Sequence, residues 1–335
     1  MGQAPLLIAP GDVERLHASG AVRMIDYVDA VERAFRGQGE RALEILPRQV
    51  LWRDAADAGV RSPSLKMSAS VLRSEGVMGA SVYSAHFRPG DLSMWIMLFS
   101  AVNGDLLAIL HGREMSLWKT GATAAVAARH MARTDARTAA LIGTGYFART
   151  QLLGLAAVRP LARVRCYSRN AARREAFVAW ARAQLPELAI EAASSAEAAA
   201  RGADVVVTVT TSPQPVLEGA WLAPGVHCNV MGQHDPRARE VDSEAVAGSR
   251  VVVDSFAQAW NEKGEILIPL AEGRIAKEHV LGELGDVVAG RIAARRGDTD
   301  RTVFCSGGTA LEYMGTCAML LEKARAAGVG QELRL

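Results

Sequence analysis

Residues 139–148 read Ala-Ala-Leu-Ile-Gly-Thr-Gly-Tyr-Phe-Ala, four apolar residues running straight into a Gly-x-Gly-x-x-Ala turn and then an apolar stretch of helical length. Buried strand, tight glycine turn and helix, in that order, point to an open parallel α/β sheet that carries a dinucleotide. Gly143 permits the turn and Gly145 lets the backbone approach a pyrophosphate. The small Ala148 allows close helix–strand packing, and Thr144, Tyr146 and Phe147 occupy the variable positions. The N-terminus of the following helix offers free N–H groups to phosphate. An ordinary strand–helix turn uses the same glycines, but here a second apolar strand follows, Val164-Arg165-Cys166-Tyr167.

The end of that second strand bears on the cofactor. A site for NAD(H) usually places Asp or Glu there to hold the ribose 2′-hydroxyl. This chain has Ser168-Arg169-Asn170 instead. Arg169 is suited to a 2′-phosphate and to stacking on adenine, which favours NADP(H) and keeps NAD(H) as the alternative. Arg173 and Arg174 add positive charge one turn further on.

From 137 to about 254 strand and helix signals alternate, with strands expected at 138–142, 163–167, 187–191, 204–210, 226–231 and 250–254. The first 40 residues read as helical. Met24, Val28, Val31 and Phe35 recur at helical spacing, and Gly37 and Gly39 close the run. Residues 43–110 read as strands, with Asn103-Gly104-Asp105 marking a hairpin. An alanine-rich helix is expected over 116–133 and an amphipathic one over 309–327.

With 335 residues, half of them hydrophobic, the chain can build two sizeable cores. Its net charge of +2 and lack of like-charge blocks exclude a nucleic-acid footprint. No apolar run reaches membrane-spanning length, and the first residues, with Asp12 and Glu14, do not read as a signal peptide. Cys166, Cys228, Cys305 and Cys317 form no C-x-x-C pair, so no metal site is expected. They read as buried thiols of a cytoplasmic protein.

Candidate chemistry falls in two places. Arg48 after Pro47, Lys66 and Lys119 are long cations beside strand- or helix-like sequence. A substrate carboxylate is one partner for each, and an internal Asp or Glu satisfies the spacing equally well. In the second half, Thr210-Thr211-Ser212 and Met231-Gly232-Gln233-His234-Asp235 leave strands at the carboxyl edge, where such sheets bind ligands. His234 and Asp235 are the acid/base candidates there. Asp235 before Pro236 also reads as the cap of a following helix.

In this order the chain resembles the ornithine cyclodeaminase/μ-crystallin family along nearly its whole length. The resemblance rests on Pro47-Arg48, Ser64-Leu65-Lys66, Asn103–Ala108 leading into Trp118-Lys119-Thr120-Gly121-Ala122, and Gly143-Thr144-Gly145. Val205–Thr211, Gly232–Asp242, Val253-Asp254-Ser255 and Gly282–Gly285 add to it. It implies a Rossmann nucleotide-binding domain (121–304) and a mixed α+β substrate and dimerisation domain built from both chain ends (1–120, with a C-terminal helix in 305–335). It also implies a homodimer, and hydride transfer between nicotinamide and an imine or amine of a small α-amino acid. By the same resemblance Arg48 and Lys66 hold the substrate carboxylate and Lys66 assists proton transfer; in the leading reading Lys119 joins the clamp and Lys66 or His234 supplies the proton.

Two departures bear on the reaction. Lys119 stands where the family has Arg, and His234-Asp235 stand where the cyclodeaminases place Asp two residues after the glycine. The first implies a substrate anion held differently or of another shape; the second counts against ornithine cyclodeamination and leaves simple imine reduction open. Redox-neutral, ammonia-releasing cyclodeamination and a non-catalytic, crystallin-like binding role are the alternatives.

Overall fold

The computed structural model describes residues 4–52, 64–85 and 92–334, and the chain divides into two compact units, Met1–Lys119 with Thr309–Leu335, and Thr120–Gly308. The first unit begins with β1 (Leu6–Ile8), α1 (Pro10–Ala18) and α2 (Met24–Gly39). The strand β1 falls where the sequence reads as helix: three residues between prolines are too short to show a period, and β1 is fixed by pairing. Met24, Val28, Val31 and Phe35 form the buried face of α2 as expected. The helix runs through Gly37, which leaves room for Ser74; an added Cβ would stand 2.8 Å from its Oγ.

An antiparallel run follows: β2 (Leu43–Trp52), β3 (Ser64–Leu72), β4 (Val77–Ala85), β5 (Leu92–Ser100) and β6 (Leu106–His111). The turn at Asn103-Gly104-Asp105 joins the last two, with Gly104 at φ +80°. Helix α3 (Gly112–Met131) carries the chain out of this unit at Lys119.

In the second unit the elements alternate as β7 (Thr138–Ile142), α4 (Ala148–Val158), β8 (Arg163–Tyr167), α5 (Ala171–Gln184), β9 (Ala189–Ala192), α6 (Ala196–Ala200), β10 (Val205–Thr208), β11 (His227–Val230), α7 (Ser243–Ala247), β12 (Arg250–Val253), α8 (Phe256–Glu262), α9 (Gly264–Ala271), β13 (Val280–Glu283), α10 (Leu284–Val288) and β14 (Thr302–Cys305). All pairings in this sheet are parallel, in the order β13-β12-β14-β11-β10-β7-β8-β9. The sequence reading places six of its strands and misses β13 and β14. Strand β14 is four residues buried on both faces and shows no alternation, and β13 is a four-residue edge strand too short to show a period.

The first unit is completed by α11 (Ala310–Ala327) and β15 (Gln331–Glu332). Thr309 and Glu312 cap α11 reciprocally, and Gly328 ends it in the left-handed region. The helix packs across β3 and crosses α2 closely. A Cβ on Gly315 would stand 2.8 Å from the carbonyl oxygen of Ala30. The sheet order is β15-β1-β6-β5-β4-β3-β2, and its other face presents Leu46, Leu51, Leu65, Val82, Trp95 and Met97 to solvent.

Buried polar bonds tie the second half of α3 to the parallel sheet. His227 Nδ1 meets Thr302 Oγ1 at 2.9 Å and Nε2 meets Asn229 Oδ1 at 3.0 Å, while Asn229 Nδ2 donates to the carbonyl of Ala124. Burial pulls the His227 pKa down to about 3. The native imidazole therefore stays neutral while the unfolded one takes a proton near 6.5, so stability is complete above pH 6.5 and falls toward pH 3. Thermal melts are expected to show this acid-side slope, at most about 1.4 kcal/mol per pH unit, and His227→Gln is expected to flatten it.

Candidate active site

The strand order reverses between β7 and β10, because β8 and β9 lie on one side of β7 and β10 and β11 on the other. A ligand crevice is expected at the carboxyl ends of strands that meet in this way. A cavity of about 400 Å³ lies there, lined by Ile142–Gly145, Tyr167–Asn170, Arg173, Val209–Ser212 and Val216. Gly143 turns at φ +109° and donates its N–H to the Tyr167 carbonyl at 2.8 Å. A Cβ there would stand 2.4 Å from the carbonyl oxygen of Val209. Gly145 faces open space, with no atom within 4 Å of an added Cβ, while Ala148 is fully buried at the start of α4. One glycine makes the turn, the other leaves room, and the pair fits a dinucleotide. Tyr146 is half exposed and meets Phe147 edge-on at 5.4 Å.

At the end of β8, Ser168 Oγ meets Thr144 Oγ1 at 2.7 Å, and Asn170 caps α5 by accepting the N–H of Arg173. Arg169 and Arg173 are exposed, and among the described residues neither guanidinium pairs with an acid. Among the described residues no carboxylate lines the cavity.

The loops after β10 and β11 are held together by Glu240, which is fully buried. Its carboxylate accepts the N–H of Thr210 at 2.5 Å, the N–H of Gly232 at 2.7 Å and the Thr208 hydroxyl at 3.1 Å. Burial pushes the Glu240 carboxyl up, and these donors offset part of that. Gly232 has no room for a side chain, since a Cβ would lie 2.2 Å from the Thr210 carbonyl oxygen. Met231 is buried beneath it. Thr210 Oγ1 accepts the N–H of Ser212, next to Thr211 on the cavity wall.

His234 is half exposed, its Nδ1 3.7 Å from Glu262 Oε1. Asp235 does not cap a helix; none starts at Pro236. It grips Arg237 instead, accepting from Nε and Nη2 at 2.9 and 2.8 Å and from the Arg237 N–H at 2.9 Å. The turn is closed by the Ala238 N–H donating to the Asp235 carbonyl at 3.0 Å, and the Asp235 side chain is taken by Arg237. The Arg237 guanidinium holds the Asp235 carboxyl below the usual carboxylate range, which leaves it ionised and poor as a proton donor near neutrality.

In the first unit, β2 and β3 pair with a bulge between Leu46 and Gln49, so Pro47 and Arg48 together oppose Ser68. A bulge re-aims the side chains it carries. The register places Val50, Lys66, Tyr83 and Met94 in one cross-strand row on the face covered by α11. Arg48 lies on the same face one step along. Lys119, on α3, is buried, 3.8 Å from Glu312 Oε1 and 4.6 Å from the centre of the Tyr313 ring. Lys119 therefore has the internal acid partner that its spacing allowed.

The comparisons with known proteins bear on both halves. Residues 20–328 match the ornithine cyclodeaminase/mu-crystallin family. The chain belongs to this family. Among its relatives, a Δ1-pyrroline-2-carboxylate reductase of Bacillus cereus is 34% identical over 239 residues, 71% of this chain and 73% of the relative. The alanine dehydrogenase of Archaeoglobus fulgidus is 27% identical over 98% of both chains. The structure of Thermococcus litoralis Δ1-pyrroline-2-carboxylate reductase with NADH and L-proline superposes with a TM-score of 0.90 at 30% identity, covering 98% of this chain and all of that one. An archaeal alanine dehydrogenase dimer with bound NAD superposes with a TM-score of 0.88 at 27% identity, covering 99% of this chain and all of that one. The expected family and α/β fold class are confirmed by these matches.

The sequence reading assigned no role to Glu240, Asp254, Lys263 or Glu265. Glu240 and Asp254 lie in segments that carry the family resemblance. Lys263 and Glu265 stand in a polar run, Asn261-Glu262-Lys263-Gly264-Glu265, yet both are fully buried. Among the described residues no group of three or more His, Cys, Asp or Glu is placed to hold a metal ion. No described helix is long and apolar enough to cross a membrane.

Proposed function

We propose that this protein is an NAD(P)H-dependent reductase of small α-imino acids. Arg48 and Lys66 on one face of the antiparallel run form the carboxylate clamp, while Lys119 is taken by Glu312. Two cations facing two carboxylate oxygens make directional, charge-assisted bonds that orient the imine carbon. When bound, nicotinamide would supply the hydride for that carbon, and one proton to nitrogen would complete the amine. Lys66 Nζ or the His234 ring holds that proton. The reductases among the relatives support this choice of substrate class.

The observation that carries reduction over cyclodeamination is the Asp235–Arg237 fork. Expelling ammonia requires an acid beside the substrate amine, and Asp235, the carboxylate next in sequence to the expected position, is committed to a guanidinium. Initial rates with a cyclic α-imino acid and NADPH or NADH, run beside an ammonia assay with ornithine, test the reading. Nucleotide oxidation without ammonia release is expected; ammonia release without net oxidation contradicts it.

NADP(H) is the proposed cofactor, supported by Arg169 and Arg173 on a cavity wall that lacks an acid. Arg169→Ala is expected to weaken NADPH binding roughly tenfold or more, the equivalent of losing a charge-assisted bond of about 1.5–3 kcal/mol. NADH binding is expected to change little, and fluorescence titration of both nucleotides measures the difference.

A homodimer is proposed through the open sheet face of the first unit. Val82 faces Trp95, Leu51 faces Leu65 and Met97 faces Ala80 there, so the exposed apolar side chains form one continuous surface. Val82→Asp is expected to halve the mass seen by sedimentation, from twice 35.7 kDa to the single chain. Placement in the cytoplasm is proposed from the four buried thiols.

A further inference from the structure

Lys263 stands at the corner between α8 and α9 and is fully buried. Its Nζ donates to the carbonyl of Gln233 at 2.5 Å and to that of Ser306 at 3.2 Å, and lies 3.3 Å from Glu265 Oε2. The network continues in both directions. Glu265 Oε1 accepts the N–H of Glu240, whose carboxylate holds Thr210 and Gly232. The Gln233 side chain donates to the Ser212 carbonyl at 2.5 Å. Beyond Ser306, Asp254 Oδ2 accepts the Ser306 hydroxyl and the N–H groups of Gly307 and Gly308, all within 2.8 Å. The loops leaving β10, β11 and β14 are thus held from beneath by buried charge.

The corner itself is seated tightly. A Cβ on Gly264 would stand 2.0 Å from the Ala238 carbonyl oxygen and 3.0 Å from that of Asp235. Burial by itself works against an ammonium here, but Glu265, with Cys305, Glu240 and Asp254 around it, outweighs this and raises the Lys263 pKa. Buried ion pairs are poor devices for stability, since well-packed apolar side chains often serve as well. What this one supplies is direction: three polar contacts fix where two backbone carbonyls lie.

We propose that Lys263 is a positioning residue. Through the carbonyls of Gln233 and Ser306 it sets the Gly232–His234 loop against Thr210–Ser212, and so fixes the wall of the nucleotide site beside His234. The inference rests on the nicotinamide-dependent reading of this site. It concerns the geometry of the loop; Lys263 itself touches no reacting atom.

Lys263→Met and the double variant K263M/E265Q test it, in the full-length protein. In the nucleotide-free protein, amide hydrogen exchange in peptides covering 231–236 and 305–308 is expected to accelerate at least tenfold in both variants. NADPH affinity is expected to fall at least fivefold and the emission of bound NADPH to shift. The kcat for imino-acid reduction is expected to fall at least tenfold, with the imino-acid KM within twofold of the parent. The double variant removes both charges together, so it is expected to recover the parental melting temperature without recovering kcat. If K263M does not fold, the double variant carries the test. Parental exchange, affinity and kcat in the double variant would overturn the proposal. An unmodified protein that binds NADPH but reduces no imino acid would overturn the reductase reading alone, and the exchange and binding data would still decide the role of Lys263.

Discussion

Replacing Lys66 with alanine is expected to lower kcat/KM for an α-imino acid by about 30- to 1000-fold, or about 2–4 kcal/mol of transition-state stabilisation, while NADPH binding is unchanged. The magnitude follows from the position. Lys66 shares a cross-strand row with Val50 and Tyr83, on the side of the sheet covered by α11, and Arg48 joins that face through the bulge opposite Ser68. A charge-assisted bond between an ammonium and a carboxylate contributes about 1.5–3 kcal/mol. Loss of orientation adds to this, because a substrate held by one cation instead of two swings about the remaining contact. Lys66→Arg, which keeps the charge, is expected to recover part of the rate. If steady-state rates for Lys66→Ala match the parent, Lys66 neither holds the carboxylate nor delivers the proton.

The glycine turn supports an equally large effect with a built-in control. Gly143 combines φ +109° with backbone 2.4 Å from any added Cβ. Gly143→Ala therefore combines the cost of placing a side chain in the left-handed half of backbone space, about 1–2 kcal/mol, with a clash against the Val209 carbonyl just beyond β10. A melting temperature lowered by several degrees and nucleotide binding weakened beyond detection are expected. Gly145→Ala meets no protein atom within 4 Å, so its melting temperature is expected to stay near the parent while NADPH affinity falls. Calorimetry and fluorescence titration of the two variants separate a folding defect from the loss of ligand space. Tight NADPH binding by both would remove the glycine turn from the nucleotide site.

The parts of this architecture that were legible in the sequence are those with local causes. Strands β7 and β8 coincide with their expected limits because apolar runs between turn residues leave no other reading. The hairpin at Asn103-Gly104-Asp105 and the helix expected over 309–327 were visible from local pattern as well. Strand β14 was not, since its place between β11 and β12 comes from pairing partners far away in the chain. In the site, the Gly143–Ala148 turn and the acid-free end of β8 could be read directly. The shared face of Arg48 and Lys66 depends on a bulge that residue spacing does not announce. The fate of Asp235 turned on Arg237, two residues away, whose side chain holds it in place of a helix N-terminus. Lys263 was the least legible of all, because a lysine among polar neighbours gives no sign that it is buried under three loops.

The most direct measurement follows the hydride itself. Reduction of a cyclic α-imino acid with NADPH carrying deuterium at the transferable C4 position is expected to place one deuterium on the α-carbon of the amino-acid product, as read by mass spectrometry and proton NMR. An unlabelled product, or label that leaves C4 without reaching the α-carbon, would contradict hydride transfer as the central chemistry of this protein.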